Sequence, residues 1–155
     1  IDDIVSEAKI LVKNGAKELN IISQDTTRFG SDYSLDHKSL LPELIQKVSS
    51  IEDLIMVRIL YLYPDEITDE LLLEIKNNPK VARYFDIPIQ HISSNILKRM
   101  NRRGNKEYLI NLFNKIKTLM PDAVLRTTLI VGFPGETENY FEELKSFVQD
   151  LEYDR

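Results

Sequence analysis

Two glycines and an acid mark the place in this sequence where a ligand could most easily meet the backbone. Within Leu125–Thr137, an apolar, β-branched run breaks at Gly132-Phe133-Pro134-Gly135 and continues into Glu136. A run of that composition reads as a buried parallel strand. The break reads as a tight turn feeding a helix with Thr137 as its N-cap. In an α/β sheet or barrel such a turn lies at the carboxyl end of its strand, where ligands bind. Gly132 and Gly135 would admit a ligand close to the backbone, with Glu136 as a carboxylate at the lip. The same pattern also serves as a plain helix-entry turn.

Further polar groups gather at the ends of the earlier strands: Gln24, Asp25, Thr26, Thr27 and Arg28, then Tyr61, Tyr63 and Pro64, then Pro88, Gln90 and His91. This rim is rich in hydrogen-bonding side chains and poor in paired acids. It suits orienting a polar cofactor better than hydrolysis by two carboxylates. His91 stands beside a helix start and is either a general acid–base group or a capping, hydrogen-bonded structural one. His37 lies in a polar loop-to-helix junction and reads as solvated. Neither histidine has a companion at metal-ligand spacing, so no metal site is expected.

Two kinds of arginine stand out. Arg58 and Arg126 lie inside apolar strand runs, where a guanidinium is costly unless paired. Each either points into a polar barrel interior or reaches a carboxylate. For Arg58 a structural acid such as Asp86 is the expected partner; for Arg126 the choice between such an acid and a cofactor carboxylate stays open. Lys98, Arg99, Arg102, Arg103 and Lys106 form a dense basic cluster, in which Lys98 and Arg102, and Arg99 and Arg103, are i,i+4 neighbours on a helix face. That face is either solvated and balanced by acids elsewhere, or docks an acidic or phosphate-bearing partner near the rim through Arg99, Arg102 and Arg103.

The elements that must carry these residues alternate regularly. Ile1, Ile4, Val5, Ala8, Leu11 and Val12 recur at helical spacing up to a stop at Asn14-Gly15, and a short strand follows over 18–23. Helices are expected over about 38–49, from Thr68 to Asn77-Asn78-Pro79, from Ser93 or Ser94 to about Arg102, after Gly104, and through Phe141–Val148. Strands are expected over 54–60, 84–87 and from Val124. Strands separated by helices imply βαβ units and a parallel sheet whose carboxyl ends share one rim. The chain opens on a helix that needs a preceding strand and closes where another strand should follow. The reading is a piece of a larger protein, and strands on its open edges are expected to promote self-association.

Composition narrows the class. Hydrophobic residues at 43% and charged residues at 29% fit a globular domain rather than a disordered or membrane chain. The net charge of −5 argues against broad nucleic-acid affinity. No apolar run is long enough to span a bilayer, and the first residues do not form a signal peptide. With no cysteine in its 155 residues, the chain holds no disulfide, thiolate nucleophile or thiolate metal ligand.

Five stretches taken together resemble one family. They are 24–30 (Gln-Asp-Thr-Thr-Arg-Phe-Gly), 58–64 (Arg-Ile-Leu-Tyr-Leu-Tyr-Pro), 85–91 (Phe-Asp-Ile-Pro-Ile-Gln-His), 100–104 (Met-Asn-Arg-Arg-Gly) and 126–137. In order and spacing across the whole chain they look like the radical S-adenosylmethionine (SAM) methylthiotransferases. Within that family they look most like the branch that methylthiolates an aspartate of small-subunit ribosomal protein S-twelve. The resemblance implies a partial (β/α) TIM-like barrel and SAM as cofactor. It also implies two 4Fe-4S clusters and a cytoplasmic enzyme whose partner is the ribosomal protein rather than a nucleic acid or a membrane. It implies that the 132–136 turn, with Gly132, Gly135 and Glu136, lies near the adenine or ribose of SAM. Gln90 and Arg126 would reach the ribose or methionine moiety, and Gln24 and Asp25 would face the reaction chamber.

The family's cluster-binding cysteine loop would precede Ile1. Its N-terminal cluster domain and C-terminal TRAM domain would flank the chain, which alone is expected to be inactive and to hold no cofactor firmly. Two other readings compete: a transfer-RNA methylthiotransferase of the same family, and a non-catalytic α/β module that binds a partner through the 98–106 face.

Overall fold

Residue type alternates along every strand, and that alternation divides the molecule into a helix-covered face and a polar face. The structure, a computed structural model, describes residues 1–151, 153 and 154. Strand β1 (Glu18–Ile21) pairs in parallel with β2 (Met56–Ile59), and β3 (Tyr84–Asp86) pairs in parallel with β4 (Val124–Arg126). The two pairs lie side by side. Val57 bridges Val81 in parallel just before β3, and beyond the strands the Leu62 N–H donates to the Asp86 carbonyl at 2.9 Å. Neighbouring strands are thus consecutive in sequence, joined through helices (two of them between β3 and β4), with a further helix before β1 and another after β4.

Those helices are α1 (Asp2–Lys13), α2 (Leu41–Ser49), α3 (Asp69–Asn77), α4 (Ser94–Arg99), α5 (Lys106–Leu119) and α6 (Glu138–Leu151). Their local signals are those of the sequence. The Thr68 hydroxyl accepts the Leu71 N–H at 3.2 Å, and the Asn105 side-chain oxygen Oδ1 accepts that of Tyr108 at 2.9 Å. Pro42 sits in the first turn of α2. At the end of α1, Gly15 takes the left-handed conformation, and the Ala16 N–H reaches back to the Leu11 carbonyl. Leu44, Ile45 and Val48 of α2, Leu72 and Ile75 of α3, and Phe113 and Ile116 of α5 meet Val57, Ile59, Phe85 and Leu125 in one buried core. Phe113, Phe147 and Tyr153 add a cluster with ring centroids 5.4–6.3 Å apart.

Three differences from the sequence reading have physical causes. The strand expected from Val124 through Val131 is regular only to Arg126, because its pairing slips at Pro88. Helix α2 begins at Leu41 rather than near Lys38, since residues 31–40 form turns in which Ser34 and Asp36 side chains bind the Lys38 N–H. Helix α4 ends at Arg99, not Arg102. Asn101 turns left-handed at φ 55°, its N–H bonds Lys98 O, and the Arg102 N–H bonds Leu97 O at 2.9 Å, a Schellman closure. Arg102 and Arg103 therefore lie beyond the helix and share no helical face with Lys98 and Arg99. On the outer side of β4, Asp154 donates its N–H to Leu125 O and accepts the Leu125 N–H on its carboxylate, so that edge is partly covered. Among the described residues no helix is long and apolar enough to cross a membrane.

Candidate functional site

The uncovered strand face is polar. Asn20, Arg58, Tyr84, Asp86 and Arg126 line a concave cavity of about 550 Å³ together with Leu60, Tyr61 and Val124. Both arginines meet structural acids there, as expected for Arg58, but the acid that Arg58 meets is not the one named. Arg58 bonds Glu18 through Nε at 2.8 Å and lies 4.7 Å from the Tyr84 ring centroid. Asp86, the acid expected to meet Arg58, instead accepts Arg126 Nη1 at 2.5 Å. The correction follows from register: Asp86 stands directly opposite Arg126, whereas Arg58 stands opposite Asn20, two residues along from Met56–Glu18 and on the same face. Asp86 is 1% exposed and also accepts the Tyr61 N–H at 3.2 Å. Its burial is compensated by one charge and one backbone donor. The Arg126 side chain is 40% exposed and turns its remaining donors toward the cavity.

At the rim, β3 and β4 change register. Asp86 stands opposite Arg126, yet Gln90 bridges Leu129, so three residues on the β3 side (Ile87–Ile89) face two on the β4 side (Thr127 and Thr128). Pro88 occupies the slip, where no backbone donor is called for. The Thr127 hydroxyl fills the gap in the ladder: it donates to Ile87 O at 2.8 Å and accepts the Ile89 N–H at 3.4 Å. Beyond the slip Gln90 adopts φ 68°, a left-handed conformation costly for a non-glycine residue, and its side-chain amide makes no hydrogen bond among the described residues. Tyr61, at the end of β2, is left-handed as well at φ 56° and is 43% exposed.

The turn after β4 closes around Glu136. One carboxylate oxygen accepts the N–H groups of Gly132 and Phe133, the latter at 3.1 Å; the other lies 3.3 Å from His91 Nε2. The side chain is 6% exposed. Glu136 is therefore a clasp inside the turn rather than a free carboxylate at its lip. Burial pushes its pKa up, but the Gly132 N–H, the His91 ring and the Phe133 N–H outweigh that and hold it below the ordinary glutamate value. His91 is fully buried, and its Nδ1 accepts the Ser93 N–H at 2.9 Å, which assigns the proton to Nε2 facing Glu136. Of the two roles open for His91, the structural one is what these bonds describe.

Gly132 (φ 82°) has open space where a Cβ would stand, with Ile130 and Val131 exposed beside it. At Gly135 (φ 89°) a Cβ would run into the Arg99 guanidinium, which donates to Pro134 O. Gly132 leaves room for a ligand, while Gly135 leaves room for Arg99. Three more basic residues of the cluster are also engaged within the chain. Arg102 donates to Pro88 O at 3.1 Å and stacks 5.0 Å from the Tyr63 ring centroid, Arg103 approaches Glu66 at 3.8 Å, and Lys106 bonds Glu143 at 2.9 Å. Asp25 accepts the Thr27 hydroxyl and lines a second rim cavity of about 340 Å³ with Arg28, Tyr63 and Arg102; Gln24 is exposed beside it. Gln90, Arg126 and Gly132 thus share the rim of β3 and β4, and Gln24 and Asp25 stand at the end of β1.

Thr127 and the part played by Arg102 escaped the sequence reading. Pro88 inside a strand pattern was the available signal for the slip. For a nucleoside carrying an amino-acid tail, the residues fit: apolar Ile130 and Val131, bare backbone at Gly132, an unpartnered amide at Gln90 and a guanidinium at Arg126. For an iron–sulfur cluster they do not fit. The chain has no cysteine, and the described residues hold no group of three potential metal ligands.

Comparison with known proteins shows the family. The family profile described as the Radical SAM superfamily matches residues 1–148. Ribosomal protein uS12 methylthiotransferase RimO of Clostridium novyi (strain NT) is 51% identical over 154 residues, 99% of this chain and 34% of the relative. The protein of the same name from Alkaliphilus oremlandii (strain OhILAs) is 49% identical over 155 residues, 100% of this chain and 35% of the relative. That from Clostridioides difficile (strain 630) is 49% identical over 154 residues. The chain spans about a third of the length of the curated relatives it matches. It belongs to the radical SAM superfamily.

Proposed function

We propose that this chain is the SAM-orienting wall of a methylthiotransferase that modifies an aspartate of ribosomal protein uS12. The observation that carries the reading is the succession of Arg126, Gln90 and the open backbone of Gly132 along the carboxyl ends of β3 and β4 and the turn beyond, within a sequence about half identical along its length to uS12 methylthiotransferases. Strands adjacent in sequence order, with helices on one face only, form an arc of a (β/α) barrel of the TIM type whose lumen is the polar face. Flanking segments complete it in the working enzyme, which acts in the cytoplasm. They also bring the cysteine ligands of two 4Fe-4S clusters, an N-terminal domain and a TRAM domain.

In that enzyme SAM supplies the radical-generating chemistry once a reduced cluster is bound, and this chain's residues hold and orient it. Ile130 and Val131 offer an apolar ledge to the adenine, and Gly132 lets the base approach the backbone. The Gln90 amide and the Arg126 guanidinium would hold the ribose or methionine moiety through polar contacts. Gly135 and Glu136 act within the turn, one by admitting Arg99 and the other by clasping the Gly132 and Phe133 N–H groups. Gln24 and Asp25 face the reaction chamber at the end of β1, and Arg103, 75% exposed at its side chain, remains available to the protein partner, whereas Arg99 and Arg102 are engaged within the chain. The half-exposed edge at β1 favours self-association of the chain taken alone.

The test is modification by the complete, cluster-loaded enzyme. Addition of a methylthio group to the uS12 aspartate, detected by peptide mass spectrometry, is expected. Modification of transfer RNA alone would assign the chain to the sister branch, and no modification of either, with no SAM cleavage, would favour a non-catalytic module.

A further inference from the structure

The rim segment 88–91 is held from three directions, and two of its holds have no role in the reading above. Beneath it, the Thr127 hydroxyl bridges Ile87 O and Ile89 N across the register slip. Above it, the Arg102 guanidinium donates to Pro88 O and rests on the Tyr63 ring. Beyond it, His91 is tied to Glu136 and to the Ser93 N–H. Between these holds Gln90 is left-handed, donates its N–H to Thr128 O at 2.9 Å and accepts the Ile130 N–H at 2.8 Å, with its side-chain amide unpartnered among the described residues.

A strained conformation persists only where its surroundings over-determine it. A regular register would leave Pro88 at a ladder position where an N–H is called for, and would turn residue 90 to the opposite face. The slip therefore decides which way Gln90 points, and it needs an acceptor for the Ile89 N–H and a donor for Ile87 O. Thr127 is both at once; a valine of the same shape would be neither. Arg102 reaches Pro88 because the Schellman closure of α4 releases it from the helix at that point.

We propose that Thr127 and Arg102 are positioning residues that lock the Pro88 slip and thereby present the Gln90 amide to the bound nucleoside. The inference rests on the SAM reading for its ligand, but the lock itself is a property of the chain. Loss of the Thr127 hydroxyl frees residues 87–90 to relax toward a regular register, and loss of the Arg102 guanidinium releases Pro88 from Tyr63.

The experiment uses the complete, cluster-loaded enzyme and measures the SAM dissociation constant, the melting temperature and amide hydrogen exchange without ligand. Thr127→Val is expected to weaken SAM about tenfold, Thr127→Ser to stay within about twofold of the wild type, and Arg102→Met to fall between them. Gln90→Gly relieves the left-handed strain, so it should raise the melting temperature by a few degrees while weakening SAM by about as much as Thr127→Val.

The deciding measurement is Thr127→Val in the Gln90→Gly background. If Thr127 acts through Gln90, it costs no further affinity there. An undiminished loss in that background would make Thr127 merely structural and overturn the proposal. Exchange at the Gln90 and Ile130 amides should quicken in Thr127→Val whether or not SAM binds; unchanged exchange would dismiss the lock. The exchange response in Thr127→Val together with a wild-type enzyme that binds no SAM would defeat the cofactor reading and its presentation step, and leave the lock standing.

Discussion

The two strand pairs reach the rim by different routes. β1 and β2 hold one register along their whole length and into the first loop residue, where the Leu60 N–H bonds Ile21 O at 3.0 Å. The loops beyond are then tied by Thr26, whose N–H bonds Tyr61 O and whose hydroxyl donates to Leu60 O at 2.7 Å. β3 and β4 slip by a residue at Pro88 and continue pairing at Gln90 and Leu129. In both cases a threonine hydroxyl repairs the ladder where the chain leaves regular pairing. In both cases a left-handed non-glycine residue, Tyr61 or Gln90, follows. The difference lies in what the strained residue is fixed to. Tyr61 hangs from the Asp86 carboxylate of the neighbouring pair, whereas Gln90 stays inside its own ladder. Both side chains stay free among the described residues, so the contrast is in backbone support: that of Gln90 comes from its own ladder alone, whereas that of Tyr61, held also by the Thr26 N–H, depends in part on an ion pair.

The largest test of this contrast is in the core beneath it. Phe85 is fully buried under β3, and truncating it to alanine should cost about 3–5 kcal/mol. Leu19, half-buried on β1, should cost about 1 kcal/mol, because part of its surface already meets water. Urea unfolding of both variants compares the pairs, and equal losses would mean that the β1–β2 edge is as deeply supported as β3–β4.

Next in size is Asp86→Ala. It strips the Tyr61 N–H of its acceptor and leaves Arg126 unpaired beside a cavity. Because Arg126 is 40% exposed and can be hydrated, the expected loss is about 2–3 kcal/mol, below that of a fully buried pair. The same variant should loosen Tyr61 but leave Gln90 in place, visible as faster exchange at the Tyr61 amide and unchanged exchange at Gln90. Loosening of both would erase the distinction drawn between the two rims.

Much of this was legible in the sequence because local rules decide it. The helix stop at Asn14-Gly15, the Thr68 cap and the order of strands and helices follow from capping chemistry and periodicity. The glycine turn was legible as a close-approach site, and Gly132 has that space. What was not legible depends on register. Whether Asp86 meets Arg58 or Arg126 turns on which residues stand opposite, and a strand pattern does not carry that number. Glu136 looked like a lip carboxylate because its donors, the Gly132 and Phe133 N–H groups and His91, come together only after the turn closes. The basic cluster looked like one face because helical spacing was extended past Asn101, where the chain turns left-handed.

Glu136 gives a smaller and pH-dependent effect. Its carboxyl is held below its ordinary value of 4.5 in the folded state, so its contribution is complete above about that pH and is lost as pH falls through the lowered folded value. Glu136→Gln keeps one acceptor oxygen and should cost about 1–2 kcal/mol at neutral pH. Below the folded value the variant and the parent should converge, because the parent carboxyl is then protonated. Stability curves for the two that stay parallel down to that pH would show that the clasp does not depend on charge.

The smallest effect expected belongs to Arg58, and it separates two guanidiniums that share the polar face. Arg126 meets a carboxylate that is 1% exposed, so its removal strands a buried charge. Arg58 meets Glu18, whose side chain is 41% exposed, and its own side chain is 29% exposed, so water can take over from either partner. The Tyr84 ring adds a cation–π term at a half-open site. Arg58→Met keeps the stem packed along the strand and should therefore cost no more than about 1 kcal/mol. Much of that should disappear in high salt, since an exposed pair is screened. A double-mutant cycle of Arg58→Met with Glu18→Gln, measured by urea unfolding in low and high salt, reads the pair alone. A coupling above about 2 kcal/mol that resists salt would place Arg58 beside Arg126 as a structural cation, and the contrast between an edge pair and a rim-fixing pair would fail.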